Sequence, residues 1–121
     1  AVAPVPLRSL EALAADNVRE GLVRETWGAA VGLYQALHAP DADVRRVMLA
    51  VALDEVRHAE LSWALHTWVL ERLDGAARAR IVALAEGARS WESAMDGPTG
   101  VGLPDRSAAR RMWASLQASM T

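Results

Sequence analysis

Two long helical repeats joined only by Ala39-Pro40-Asp41 constrain this 121-residue chain more than any other feature. The first covers 9–38 and the second 42–73. Apolar residues recur through both at three- and four-residue intervals, the spacing of one helix face. Each helix is predicted to be roughly 45 Å long at ~1.5 Å per residue, against an average of about 11–12 residues. A joint this short folds the two back on each other as an antiparallel hairpin within a bundle. Ser9 and Asp41 are placed to cap them, Glu11 sits in a first turn where an anion is favoured, and Asp74-Gly75 is expected to end the second.

The remaining chain divides around these two. Residues 1–8, with Pro4 and Pro6, read as an extended arm. A third helix is predicted over 76–95, a breaker-rich loop over 96–104 and a short last helix over 105–119. No stretch alternates as a strand does, so the expected class is all-α: a long antiparallel hairpin of four-helix-bundle type with two shorter C-terminal helices, in one domain. Apolar residues make up 52% of the chain, enough for one globular core. A net charge of −2 leaves no electrostatic footprint for nucleic acid or an anionic membrane. All basic residues are Arg, which we read as compositional bias.

The chain has no cysteine, which excludes disulfides, thiolate catalysis and sulfur-ligated metal. Any metal must be held by carboxylate and imidazole, a donor set that suits iron, manganese or zinc. The longest apolar run, 48–53, is far below the roughly 20 residues that span a bilayer. No intact signal peptide is visible, and a cytoplasmic location is expected. The chain starts at Ala1 without an initiator Met, as a processed chain or a piece of a longer one does.

At about 100° per residue, Ala14, Val18, Gly21, Glu25, Gly28, Gly32 and Ala36 fall on one stripe of the first helix. Glycines in a helix cost about 1 kcal/mol each relative to Ala, so three on one stripe imply close backbone approach or room beside Glu25. Glu25 is the one charged group there, and burial obliges it to have a partner: a metal, or an Arg from another helix. Glu20 is expected on the opposite, polar side with Asn17, Arg24 and Gln35. Val23, Trp27, Ala30 and Tyr34 form a second apolar strip, to be covered by the C-terminal helices or another subunit.

On the second helix Val44, Met48, Val51, Glu55, His58, Ser62, Leu65 and Val69 share a stripe, with Arg46, Arg57, Glu60, Ala64 and Glu71 opposite. Glu55 and His58 interrupt the apolar face itself. Glu25 lies about 13 residues before the end of its helix and Glu55 about 14 after the start of the next, which puts both roughly 20 Å from the turn. Face and height agree, so Glu25, Glu55 and His58 are predicted to converge as metal ligands. Asp54 flanks the stripe and either bonds the His58 ring nitrogen left free by a metal or pairs with Arg57 or Arg110. His66 lies roughly 12 Å further along and reads as a core or rim histidine, His38 as a C-terminal cap. Met48 reads as core, and Trp63, Trp68, Trp91 and Trp113 as packing or interface residues.

The segments 8–13, 20–26 and Asp54-Glu55-Val56-Arg57-His58-Ala59-Glu60-Leu61 resemble ferritin-like di-iron carboxylate proteins, in particular bacterial ferritin-like proteins in which such a segment forms the second half of a four-helix bundle. The likeness extends weakly to Gly102-Leu103-Pro104. It implies Glu25 as a carboxylate ligand, Glu55 as a bridging carboxylate and His58 as a nitrogen ligand to two irons, sometimes manganese, that react with dioxygen or peroxide. Such a site needs four carboxylates and two histidines, and this chain offers one set of three. Neither Glu86 nor Glu92 has a His three residues on. The other set is expected from a second copy or from a missing N-terminal half-bundle.

The expected function is therefore an oxidoreductase of ferroxidase or oxygenase type. The alternatives are metal storage without turnover, and a helical assembly module whose polar triad is structural.

Overall fold

In the computed structural model the described residues are 2–4, 7–88 and 100–120. They form α1 (Leu10–Asp16), a π-helical turn (Asn17–Leu22), α2 (Val23–His38), α3 (Ala42–Leu70), α4 (Gly75–Ala88) and α5 (Arg106–Ser119). No strand occurs among the described residues. No described helix is long and apolar enough to cross a membrane.

Short polar side chains set the helix starts by satisfying orphan backbone N–H groups. Ala12 N–H donates to Ser9 Oγ at 3.1 Å, Asp43 N–H to Asp41 Oδ1 at 2.7 Å, and Ala108 N–H to Asp105 Oδ1 at 2.8 Å. Asp74 is also a start: it accepts from Ala77 N–H at 2.8 Å. That corrects the expected end of the second helix. α3 stops at Leu70, three residues short of 73; Arg72 and Leu73 N–H both donate to the Val69 carbonyl, at 2.9 and 3.1 Å, in the turn that leads to the Asp74 cap. The third helix is described to Ala88; its expected continuation to 95, and the loop over 96–99, lie outside the described residues.

α1, the π-helical turn and α2 form one rod, and α3 lies beside it over most of its length. Gly32 meets Ala52, where an added Cβ would stand 3.0 Å from the alanine methyl. Trp63 Nε1 donates to Thr26 Oγ1 at 3.0 Å, and Asn17 Nδ2 to the Ser62 carbonyl at 2.8 Å. The buried residues of α3 are Ala52, Ala59, Ser62, His66 and Val69; Ser62 and Val69 belong to the expected stripe, the other three lie one position over from it, and Val51, expected inside, is exposed. At Ala52 the small side chain lets the two backbones approach closely, beside Gly32.

Two polar residues expected on the outer side are turned inward. Asn17 reaches α3, and Gln35, 7% exposed, donates to the Val101 carbonyl at 2.9 Å. The π-helical turn explains Asn17. A turn closed by i→i+5 bonds takes up an extra residue. Upstream of it the α phase is therefore offset, and Asn17 rather than Val18 faces Ser62. Val18 joins Ala14, Leu22, Val23, Val69, Ile81 and Ala85 in the core instead. Gln35 is claimed by the segment before α5, which closes against the α2–α3 turn. There Gly102 has φ +76° and an added Cβ would lie 2.5 Å from Ala39 Cα, so only glycine fits.

The core thus sits at the end where α1, α4 and the C-terminal half of α3 meet. On its second apolar strip, Trp27 is covered by α5, whose Trp113 packs edge-on at 5.7 Å.

Candidate metal centre

Glu25 is the third residue of α2, one turn beyond the π-helical segment. The contact beside it fixes its height against α3: Thr26 Oγ1 donates to the Leu22 carbonyl at 2.6 Å while accepting from Trp63. Glycines bracket the same stretch. An added Cβ at Gly21 would fall 2.6 Å from Ser62 Oγ. At Gly28 it would stand 3.7 Å from Glu55 Oε2, an ordinary contact. The small-residue stripe therefore serves close approach at Gly21 and Gly32, and leaves space in front of Glu55 at Gly28.

Glu25, Glu55 and His58 converge, each offering one ligand atom, all within 4.8 Å of one another. His58 Nδ1 lies 3.7 Å from Glu25 Oε2 and 3.9 Å from Glu55 Oε2. An ion bound at ~2.1 Å holds donors no more than about 4.2 Å apart, so both separations fit a single ion with little movement. The two carboxylate side chains are about one-third exposed and the imidazole is half exposed, 51%. The triad therefore lies at the open edge of the α2–α3 contact.

The carboxyl of Glu25 is held above the ordinary carboxylate range. Its hydrogen bond with Glu55 is the main cause, followed by burial and by repulsion from the Glu55 charge; His58 and Arg24 partly offset these. A cation bound between the two acids would favour the ionised carboxylate and oppose this rise.

Asp54 stands between its two expected partners. Its Oδ2 is 3.6 Å from His58 Nε2 and its Oδ1 is 3.8 Å from Arg57. Both separations exceed a hydrogen bond, and the first would become one on a small rotation of the ring. The side of His58 that faces the acids is thus Nδ1, and Nε2 faces the residue that can orient it.

The other candidates stay apart. Glu20 is exposed and pairs with Arg24 at 2.7 Å. His66 is buried, edge-on to Trp63 at 6.2 Å, and His38 stacks on Tyr34 and bonds its carbonyl at 2.9 Å. Among the described residues no second group of metal-ligating side chains occurs. A cleft of about 450 Å³ between the π-helical turn and α4, lined by Val18, Val23 and Leu84, contains none of the triad. The Thr26–Trp63 and Asn17–Ser62 bonds were missed in the sequence because neither carries a spacing signal.

No protein family, curated protein or solved structure matches this chain.

Proposed function

We propose that this chain is a carboxylate–histidine metal protein of ferritin-like type, in which α2 and α3 form the antiparallel hairpin of a half-bundle. Glu25, Glu55 and His58 hold iron, or manganese, and the reaction is with dioxygen or peroxide. One observation carries this reading: three donors of the type first-row metals prefer come from two rods to one point. The donor set fits one ion. A di-iron centre needs a second set, from a second copy or another half-bundle.

Such an ion would supply one-electron chemistry toward an oxygen substrate. The chain's own contribution is definable. Glu25 and Glu55 would hold the cation and balance its charge. Asp54, 3.6 Å from His58 Nε2, would accept from Nε2–H and so keep Nδ1 as the ligand atom. Ala59 and Ser62, one and four residues beyond His58 on α3, are both buried.

Titration of the purified chain with Mn²⁺ or anaerobic Fe²⁺ tests the reading. Stabilisation of ~2.7 kcal/mol is expected at 100 times the dissociation constant. Glu25→Gln and Glu55→Gln should each weaken binding at least about 10-fold while the helical signal is kept. Unchanged thermal melting with saturating metal would refute it. The second reading, an assembly module, is favoured by the proximity of Glu25 to Glu55, which raises the Glu25 carboxyl and lets the two acids interact without a metal. It predicts that the same substitutions leave metal response and assembly alike unaltered.

A further inference from the structure

The N-terminal two-thirds of α3 carries an apolar line that no described element covers. Val47, Ala50, Leu61 and Ala64 recur at heptad spacing and all are exposed, Val47 at 59% and Leu61 at 68%. Asp54 and Arg57 continue the same line between them, with side chains 59% and 75% exposed. Among the described residues α3 packs substantially only on α1, the π-helical turn and α2. Scattered apolar residues on a surface need no explanation, but a line at coiled-coil spacing is built for another helix.

From this line we infer that α3 pairs antiparallel with α3 of a second copy, about a two-fold axis between Glu55 and Val56. The line is complementary to its own reversed image. Turning the helix about that point sets Asp54 against the partner's Arg57 and Arg57 against the partner's Asp54. The same rotation sets Ala50 against the partner's Leu61 and Val47 against the partner's Ala64. Acid meets base and small meets large, in layers about one common centre. A two-fold contact uses the same patch on both subunits, so it demands this reciprocity. A different partner would not. The small residues Ala50 and Ala64 also let the helices approach within about 8–10 Å.

His58 follows Arg57 at the edge of this line. The partner helix covers its open flank, and both copies' triads come to lie on the same side of the contact at nearly the same height. The interface does not depend on metal, and it is tested on the metal-free protein.

Sedimentation of the intact chain across the micromolar range is expected to give a dimer. Arg57→Asp sets like charges together twice and should weaken self-association roughly 10-fold or more. Asp54→Arg combined with Arg57→Asp restores opposite charges and should bring association back to within about threefold of the parent. The chain has no cysteine, so Ala50→Cys with Leu61→Cys gives a second readout. Under oxidised glutathione the two positions, too far apart along one helix to bridge within a chain, should link into a covalent dimer that reduction separates. A monomer throughout overturns the inference, as does an oligomer indifferent to Arg57→Asp, or a charge exchange that fails to restore association while the helical signal is intact. Loss of metal binding with the dimer retained would bear on the metal reading alone.

Discussion

The two halves of α3 are used in opposite ways. Beyond Glu55 its inner face is buried at Ala59, Ser62, His66 and Val69, and the last part of it enters the core with α1 and α4. Before Glu55, Ala52 is its one buried residue, while Val47, Leu49, Val51 and Leu53 are exposed. The triad sits where the two regimes meet. One end of the helix is anchored by packing and the other is held mainly by the α2 backbone, so the site combines a fixed floor with an open approach.

The largest contrast should appear in truncations at the two ends. Leu22→Ala, at a side chain 1% exposed in the packed end, is expected to lose about 3–5 kcal/mol. Leu53→Ala, 49% exposed on the open half, should stay within about 0.5 kcal/mol. Denaturant midpoints at constant m-value measure both. Equal losses would mean that the open half is packed after all.

Glycines sharpen the same comparison at smaller scale. Gly21→Ala forces a methyl to 2.6 Å from Ser62 Oγ and Asn17 Oδ1, and the overpacking should cost about 1–3 kcal/mol. Gly28→Ala meets nothing closer than Glu55 Oε2 at 3.7 Å. Removing a helical glycine there should stabilise by about 0.5–1 kcal/mol. Thermal melts that rank the two variants the other way would show that the rods do not approach as described.

These contrasts also mark what the sequence could disclose. The helix starts were legible at Ser9 and Asp41 because a cap is a local signal. The convergence of Glu25, Glu55 and His58 was legible because equal distance from a short turn is arithmetic. Downstream of residue 22 that arithmetic operates on uninterrupted α-helix. Upstream it fails at Asn17, because a π-helical turn leaves no mark in the residue pattern. The burial of Gln35 was hidden for a different reason: its partner, the Val101 carbonyl, is 66 residues away and comes from backbone. The line Val47–Ala64 was also passed over, since Arg46, Arg57 and Glu60 made that side read as plain solvated surface.

Asp54 offers a test of the site within the open half. If it orients the imidazole, Asp54→Asn should weaken Mn²⁺ binding by about 10-fold, as loss of a ligand's outer partner does. Measured on the dilute monomer, stability should barely move, because there Asp54 is exposed and its Arg57 contact is a surface ion pair at 3.8 Å. Unchanged affinity would leave the pairing with Arg57 as the role of Asp54.

The smallest effects are on pH dependence, and the two ends should differ in sign. At the packed end Arg80 grips Glu11 through two bonds of 2.7 and 3.0 Å and holds its carboxyl below the ordinary range. A depressed acid contributes stability above its unfolded value, and this is lost as pH falls through the folded one. The pair is exposed, so added salt should blunt it. At the open end Glu25 is raised, chiefly by its hydrogen bond with Glu55. Between the ordinary carboxylate value and the raised one, the folded chain binds more protons than the unfolded chain, so this contribution falls as pH rises through that window. Stability measured against pH should therefore lose a descending component in Glu25→Gln and an acid-side rise in Glu11→Gln. Saturating Mn²⁺ should remove the Glu25 component as well, since a bound cation would favour the ionised carboxylate. A Glu25→Gln profile parallel to the parent's would show that the Glu25 carboxyl is not raised in the fold.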